Sequence, residues 1–177
     1  WHETLRAYAK HFGITKLKYI ISGGTSAQES IKNGVFNLEG KCEDDDIIII
    51  HDGIRPLVDE DVLSDVIVKC RQFGNAVTAT PYNEQIFVKD DEISTTKYIP
   101  RDTLMRVSTP QAYKFKLLCE KYHEAFETGK GISISSYTNT MMADLGVKLF
   151  FAVGSDRNIK LTTKEDLDFF SAFVRTR

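Results

Sequence analysis

Asp46-Ile47-Ile48-Ile49-Ile50-His51-Asp52-Gly53-Ile54-Arg55-Pro56 is the stretch that decides how this chain folds. Four consecutive isoleucines leave no polar alternation, so the strand over residues 46–51 has both faces covered, as in a parallel sheet flanked by helices. The polar residues follow directly, at the strand's carboxyl end, where open α/β sheets bind ligands. Downstream, Val62, Leu63, Val66, Ile67, Cys70 and Phe73 recur at helical spacing. Asp59, Glu60 and Asp61 open that helix, and Gly74 lies just past its end, which complements the helix dipole and supplies a C-cap. Residues 75–80 form the next short strand.

Outward from this centre the alternation continues. Residues 1–12 read as a helix with Leu5, Tyr8, Ala9 and Phe12 on one face. Residues 18–22 (KYIIS) form a short strand ending at the Gly23-Gly24 breaker, and residues 27–38 a helix striped by Ile31, Val35 and Leu38. Residues 84–88 and 93–98 flank Asp90-Asp91, with no helical stripe between Pro81 and Pro110, which predicts a β-hairpin excursion. Helices follow over 115–126 and 138–145, then a strand over 148–153. A last helix opens at the capping box Thr162-Thr163-Lys164-Glu165 and buries Leu167, Phe170 and Phe173 or Val174. The order predicts an α/β fold with a mostly parallel sheet.

Composition narrows the function. The 177 residues fit one domain, and 42% hydrophobic with 27% charged residues excludes a disordered chain. The longest apolar run, residues 149–153, is far too short for a membrane span. A net charge of −2 supplies no basic field for nucleic acid or an anionic membrane. Cys42, Cys70 and Cys119 are widely spaced with no CxxC pair, which suits a reducing, cytoplasmic setting. His2, His11, His51 and His123 share no i, i+4 spacing, so no zinc site is indicated among them. Residues 1–10 are polar and amphipathic, unlike a signal peptide. Trp1 falls inside a helix already under way, so a fragment is expected.

Three segments lie at strand carboxyl ends. The Gly23-Gly24-Thr25 turn leads into a helix containing Ser30 and offers backbone N–H groups to a base or phosphate, though an ordinary β-to-α turn looks the same. Asp52 and Arg55 share a tight turn that suits ribose, a metal or phosphate, or that braces itself. Lys160 precedes a helix start, where an ammonium adds to the positive helix end, or is merely solvated. Asp44-Asp45-Asp46 resembles the DxD of nucleotide-sugar glycosyltransferases but sits at the amino end of its strand, and reads as a solvated turn.

Read together, Gly23-Gly24 with Ser30-Ile31, His51-Asp52-x-x-Arg55-Pro56, Arg101 eight residues before Thr109-Pro110-Gln111, and Asn158-Ile159-Lys160-x-Thr162 resemble the cytidylyltransferases of the methylerythritol-phosphate and ribitol-phosphate type. The resemblance implies a Rossmann-like nucleotidyltransferase fold over 1–177 and CMP transfer from CTP to a polyol phosphate with release of pyrophosphate. It further implies Mg²⁺ held mainly by the CTP phosphates with Asp52, and a homodimer through a β-arm over about 82–108. Carried over residue by residue, Gly23, Gly24, Thr25, Ser30, Asp52 and Arg55 fall on CTP. Arg101 and Lys160 fall on the catalytic pair that orients the acceptor phosphate. Thr109, Gln85, Ser135 and Ser136 fall on the acceptor pocket.

The chain also departs from the family pattern. The family's opening Gly-rich loop with its Arg and Lys is not in this sequence, and Ala27 stands where an Arg is usual. Gln85 and Ser135-Ser136-Tyr137 replace the threonines and acid of the methylerythritol enzymes, which favours ribitol 5-phosphate as acceptor. The alternatives are 2-C-methyl-D-erythritol 4-phosphate as acceptor, and a non-catalytic nucleotide-binding module of the same fold.

Overall fold

The computed structural model describes residues 1–132 and 137–175. Its elements are α1 (His2–His11), α2 (Ala27–Phe36), β1 (Ile47–Ile50), α3 (Glu60–Phe73), β2 (Asn75–Pro81), β3 (Ile86–Val88), β4 (Lys97–Ile99), β5 (Met105–Lys114), α4 (Phe115–Thr128), α5 (Thr138–Asp144), β6 (Phe151–Val153) and α6 (Lys164–Arg175). The chain divides into a sheet unit, Glu43–Leu118 with Gly146–Arg177, and a helical unit, Trp1–Cys42 with Cys119–Leu145.

In the sheet unit four strands run in the order β1-β5-β2-β6. The β2–β6 pair is parallel, while β5 is antiparallel to both β1 and β2. The expected α/β class therefore holds, but the sheet is mixed rather than mostly parallel: β1, β2 and β6 share a direction that β5 opposes. Nor are both faces of β1 covered: at the edge of the described sheet, it has Ile47, Ile48 and Ile50 half-buried and Ile49 exposed. The cause of the mixed directions is the hairpin. The chain leaves β2 at its carboxyl end and pairs β3 with β4 as a separate two-stranded sheet. It closes the hairpin's foot with a bond from the Tyr82 N–H to the Leu104 carbonyl. Returning beside β2 with no crossover helix, it can only run antiparallel.

Strand β5 went unread in the sequence because Thr109-Pro110 interrupts it. Val77 pairs Gln111 and Thr78 pairs Ser108, so Thr109 and Pro110 oppose no residue of β2. Proline has no N–H for a ladder, and a bulge accommodates it.

Helix α3 follows its sequence signals closely. Asp59 accepts the Val62 N–H at 3.0 Å as N-cap, and Gly74 closes the helix at φ 87°, a conformation other residues adopt only with strain. Val66 and Cys70 of α3 pack with Ala76, Ala112 and Ala152 from β2, β5 and β6, beside Ile47 and Ile67. The small alanines let the helix sit close to the sheet.

Helix α6 needs two corrections. Its capping box lies one residue later than the spacing suggested. Asp166 accepts the Thr163 N–H at 2.8 Å, and the Thr163 hydroxyl accepts the Asp166 N–H at 3.2 Å. Its apolar stripe is only partly covered, with Leu167 51% exposed and Phe170 and Phe173 half-buried.

The helical unit holds α1, α2, the greater part of α4, and α5. Residues 18–22 form no strand: every regular element described in this unit is a helix, so a β-rich segment has no ladder to join. Val35, Tyr122, Ala125, Met141, Met142 and Leu145 are buried. Within that apolar core the Tyr122 hydroxyl reaches Gln28 Oε1 at 2.9 Å and Thr138 Oγ1 at 2.7 Å. Among the described residues, no helix is long and apolar enough to cross a membrane.

The Tyr122 network generates a stability test. Tyr122→Phe keeps the ring but leaves the buried Gln28 and Thr138 side chains short of a partner, a loss of about 1–3 kcal/mol. Urea unfolding should show a lower midpoint at unchanged slope, and an unshifted midpoint would show that the network contributes nothing net.

Candidate active site

The loop after β1 is folded by its own side chains. Arg55 donates its backbone N–H to the Asp52 carbonyl and its Nε to Asp52 Oδ2, both at 3.0 Å. His51 Nε2 lies 3.1 Å from the Arg55 carbonyl. The loop is then tied to two distant segments. The Asp52 N–H donates to Thr109 Oγ1 at 3.0 Å, from the bulge of β5. Arg55 Nη1 donates to the Asn158 carbonyl at 2.7 Å, and Leu161 N–H to the Ile54 carbonyl at 2.9 Å. Asn158 Nδ2 completes the triangle on the Thr109 carbonyl at 2.7 Å.

This lattice sets Lys160 beside Asp52, with Nζ 3.5 Å from Oδ2. One carboxylate thus faces two cations. Burial pulls the Asp52 carboxyl up, but the Arg55 hydrogen bond and the Lys160 and Arg55 charges outweigh it and hold the group below its ordinary value. Asp52 stays ionised and about a third exposed.

Arg55, Asn158 and Lys160 border a cavity of about 330 Å³, which Thr80, Arg106, Ser108, Ser155, Asp156 and Asp166 also line. Arg106 is ion-paired to Asp156. Thr80 Oγ1 and Asn158 Oδ1 are buried with no hydrogen-bond partner among the described residues. Buried polar atoms without partners are costly, and these two belong to residues that line the cavity. Arg106 escaped the sequence reading. Its signal was its place in β5, three residues before Thr109, which becomes legible only once that interrupted strand is seen.

The remaining sequence-predicted residues are distributed as follows. Thr109 is buried, and its hydroxyl is spent on Asp52. Arg101 lies apart from the cavity lining, in a 3-10 turn, and donates to the Asn83 carbonyl at the foot of the hairpin. Gln85 is exposed beside β3. Ser135 and Ser136 lie outside the described residues. Gly23, Gly24, Thr25 and Ser30 belong to the helical unit.

There the turn differs from expectation. Gly24 N–H donates to Ser30 Oγ at 2.9 Å, and Thr25 N–H to Glu29 Oε2 at 2.6 Å. Those two N–H groups are already taken by the turn's own side chains. Gly24 is required because a Cβ there would lie 2.3–2.7 Å from Glu29, which the Thr25 bonds hold in place. The acidic triplet is the surface turn the sequence suggested: Asp44 pairs with Lys116, and Asp45 with Lys114.

A mixed α/β sheet with a carboxylate, two cations and a polar cavity beside it suits a nucleotidyltransferase, whose chemistry asks for charge and positioning. The comparisons narrow it. The sequence model of the family described as IspD: 2-C-methyl-D-erythritol 4-phosphate cytidylyltransferase matches residues 4–176, and the chain belongs to that family. It is 59% identical over 177 residues to a ribitol-5-phosphate cytidylyltransferase of Lacticaseibacillus paracasei, covering 100% of this chain and 76% of that protein. It is 32% identical over 166 residues to a 2-C-methyl-D-erythritol 4-phosphate cytidylyltransferase of Geobacter metallireducens, covering 93% of this chain and 69% of that protein. Among solved structures, the 4-diphosphocytidyl-2C-methyl-D-erythritol synthase of Anaerococcus prevotii superposes with a TM-score of 0.81 at 23% identity, over 98% of this chain and 77% of that one. That likeness bears out the fold.

The Asp52 environment is open to direct titration. The Asp52 carboxyl resonance should titrate below the ordinary aspartate midpoint, and Arg55→Gln should move it upward. Because the folded value is depressed, the stabilisation is present above the unfolded-state pKa and is lost as pH falls through the folded one. The stability cost of Arg55→Gln should therefore shrink on acidification. A midpoint that Arg55→Gln leaves unmoved would remove the pair from this account.

Proposed function

We propose that this chain is the CMP-transferring part of a CTP:ribitol-5-phosphate cytidylyltransferase. The observation that carries the acceptor is the 59% identity, over every residue of the chain, to a protein of that name. The cavity chemistry is consistent with it. Arg55, Arg106 and Lys160 suit a phosphate, while Asp156, Asp166 and the Thr80, Ser108 and Ser155 hydroxyls suit the hydroxyls of a polyol. A mixed lining of this kind fits a polyol phosphate better than a purely anionic ligand.

In this reading the acceptor phosphate attacks the α-phosphorus of CTP and pyrophosphate leaves. Such chemistry asks the protein for positioning and charge rather than for a covalent partner. Lys160 brings the two anions together and stabilises the crowded phosphorus. Asp52 and Arg55 hold Lys160 in place, and Thr109 and Asn158 fix that loop from beneath. Gly23, Gly24, Thr25 and Ser30 serve the cytosine end, with Ser30 and Glu29 shaping the turn. Arg101 and Gln85, at the hairpin, act on the acceptor of a second copy. The exposed Phe87, Val88 and Tyr98 side chains support a homodimer through that hairpin.

Asp52 fits one role toward a divalent cation such as Mg²⁺. It is a single carboxylate, and among the described residues it belongs to no three-ligand cluster. Mg²⁺ commonly takes one or two carboxylates and completes its shell with substrate phosphates, so the triphosphate would supply the rest. When bound, the cation neutralises charge on the leaving pyrophosphate. The three free cysteines accord with a cytoplasmic enzyme.

Pyrophosphate release from CTP tests the proposal, with ribitol 5-phosphate and 2-C-methyl-D-erythritol 4-phosphate compared side by side. kcat/KM should favour ribitol 5-phosphate, and equal or reversed preference would remove that acceptor while leaving CMP transfer intact. Lys160→Ala should lower kcat/KM about 10²-fold, or about 3 kcal/mol, with little change in stability. Arg106→Ala should raise KM for the acceptor about 10-fold and leave KM for CTP unchanged, a loss of about 1.4 kcal/mol. Wild-type kinetics in either variant would strike that residue from the site.

A further inference from the structure

The helical unit carries a second cluster of reactive side chains, which the transfer chemistry does not use. Cys119 and His123 stand four residues apart on α4, and so on one face of the helix. Glu39 comes from the turn after α2. Its Oε1 lies 2.7 Å from His123 Nε2 and accepts from the Cys119 thiol at 3.2 Å. One ligand atom from each of the three residues lies within 4.8 Å of the others. The Phe36 ring stacks on the His123 imidazole, with centroids 4.2 Å apart and planes 15° from parallel, which fixes the plane of the imidazole.

We propose that Glu39, Cys119 and His123 form a divalent-metal site that takes Zn²⁺ or a similar borderline cation. The donor set is one thiolate, one imidazole and one carboxylate, the nitrogen, sulfur and oxygen ligands that Zn²⁺ accepts at about 2.0–2.3 Å. Tetrahedral ligands at those lengths lie about 3.5 Å from one another, so small side-chain shifts convert the hydrogen-bonded trio into a coordination shell. Coordination replaces the hydrogen bonds centred on Glu39. The thiol loses its proton to solvent, the Nε2 proton that bonds Glu39 is exchanged through solvent for one on Nδ1 so that His123 coordinates through Nε2 as the neutral imidazole, and Glu39 is already a carboxylate. Two anionic ligands balance the 2+ charge. Glu39 and His123 are each nearly half exposed, which leaves the fourth position to water. Mg²⁺, which prefers oxygen ligands and octahedral geometry, is not a competitor here.

The consequence is a cross-link between α4 and the turn after α2, within one unit. A ligand that binds only the folded state stabilises it in proportion to the logarithm of its concentration over Kd. The i, i+4 pair is a mixed one, so the spacing of the histidines among themselves does not reveal it. The partner of His123 is a cysteine.

The test is a titration of the reduced, metal-free 177-residue chain with Co²⁺. A near-ultraviolet thiolate-to-cobalt charge-transfer band should grow to saturation at one equivalent, vanish on adding Zn²⁺ and ignore Mg²⁺. Cys119→Ser should lose the band, Cys42→Ser should keep it, and His123→Asn should weaken binding about 10-fold or more. Zn²⁺ should raise Tm in the wild type but not in Cys119→Ser. A measurement that needs no variant is alkylation followed by peptide mass spectrometry, in which Zn²⁺ should protect Cys119 selectively. No band in the folded wild type, a band that survives Cys119→Ser, or alkylation of Cys119 unaffected by Zn²⁺ would overturn the proposal.

Discussion

The arrangement at the strand ends depends on one residue stepping out of a ladder. Thr109 sits in the two-residue bulge of β5, where it faces no partner on β2. Freed from pairing, its hydroxyl accepts the Asp52 N–H and its carbonyl accepts the Asn158 side chain. Segments separated by 57 and 49 residues in sequence are thereby pinned to one point. With Asp52 fixed on one side and Asn158 on the other, Arg55 bridges them, and Lys160, two residues beyond Asn158, is delivered to the same carboxylate. A regular ladder through residue 109 would engage its carbonyl in pairing and leave Asn158 without the anchor it shares with Asp52.

This explains a division of labour among polar residues in the sheet unit. Thr109 and Asn158 are buried and make structure. Arg55 and Lys160 are partly exposed and carry charge to the cavity, and Asp52, also partly exposed, pairs with both. Partial burial matters in both directions. It strengthens each electrostatic interaction by lowering the local dielectric, and it leaves room for an anionic ligand to displace or join the existing pairs. The depressed titration of Asp52 is the thermodynamic trace of that balance. The helical unit uses burial differently. Tyr122, Gln28 and Thr138 form a polar knot inside an apolar core, while Glu39, Cys119 and His123 form one near the surface.

Much of this was legible in the residues themselves. The isoleucine run, the Asp59 and Gly74 caps of α3, the hairpin and the helices α1, α2, α4 and α5 all follow from local spacing and capping chemistry. The motifs around Asp52, Thr109 and Lys160 carried the family resemblance that the whole-chain comparisons bear out. The two misread strand segments share a single cause. Residues 18–22 look like a strand but have no ladder among the helices of their unit. Residues 105–114 do not look like a strand, yet form one across the middle of the sheet. Strand formation depends on a neighbour, and a neighbour is not a local property.

The sequence by itself determined the elements whose stabilising groups lie within one turn or one pleat: capped helices, an all-apolar strand (though not its burial), and a hairpin set off by prolines. It also determined the chemical inventory of the site, because side-chain identity is written there directly. Only the tertiary structure decided that β5 runs against its neighbours, that Arg106 joins Lys160 and Arg55 around one cavity, and that Glu39 meets Cys119 and His123. It also decided that the Gly24 and Thr25 N–H groups are spent on their own helix. The physical reason is range. Caps and turns are satisfied within a few residues, whereas a sheet ladder, a cavity lining or a ligand cluster joins groups that chain spacing leaves unconnected until the fold closes.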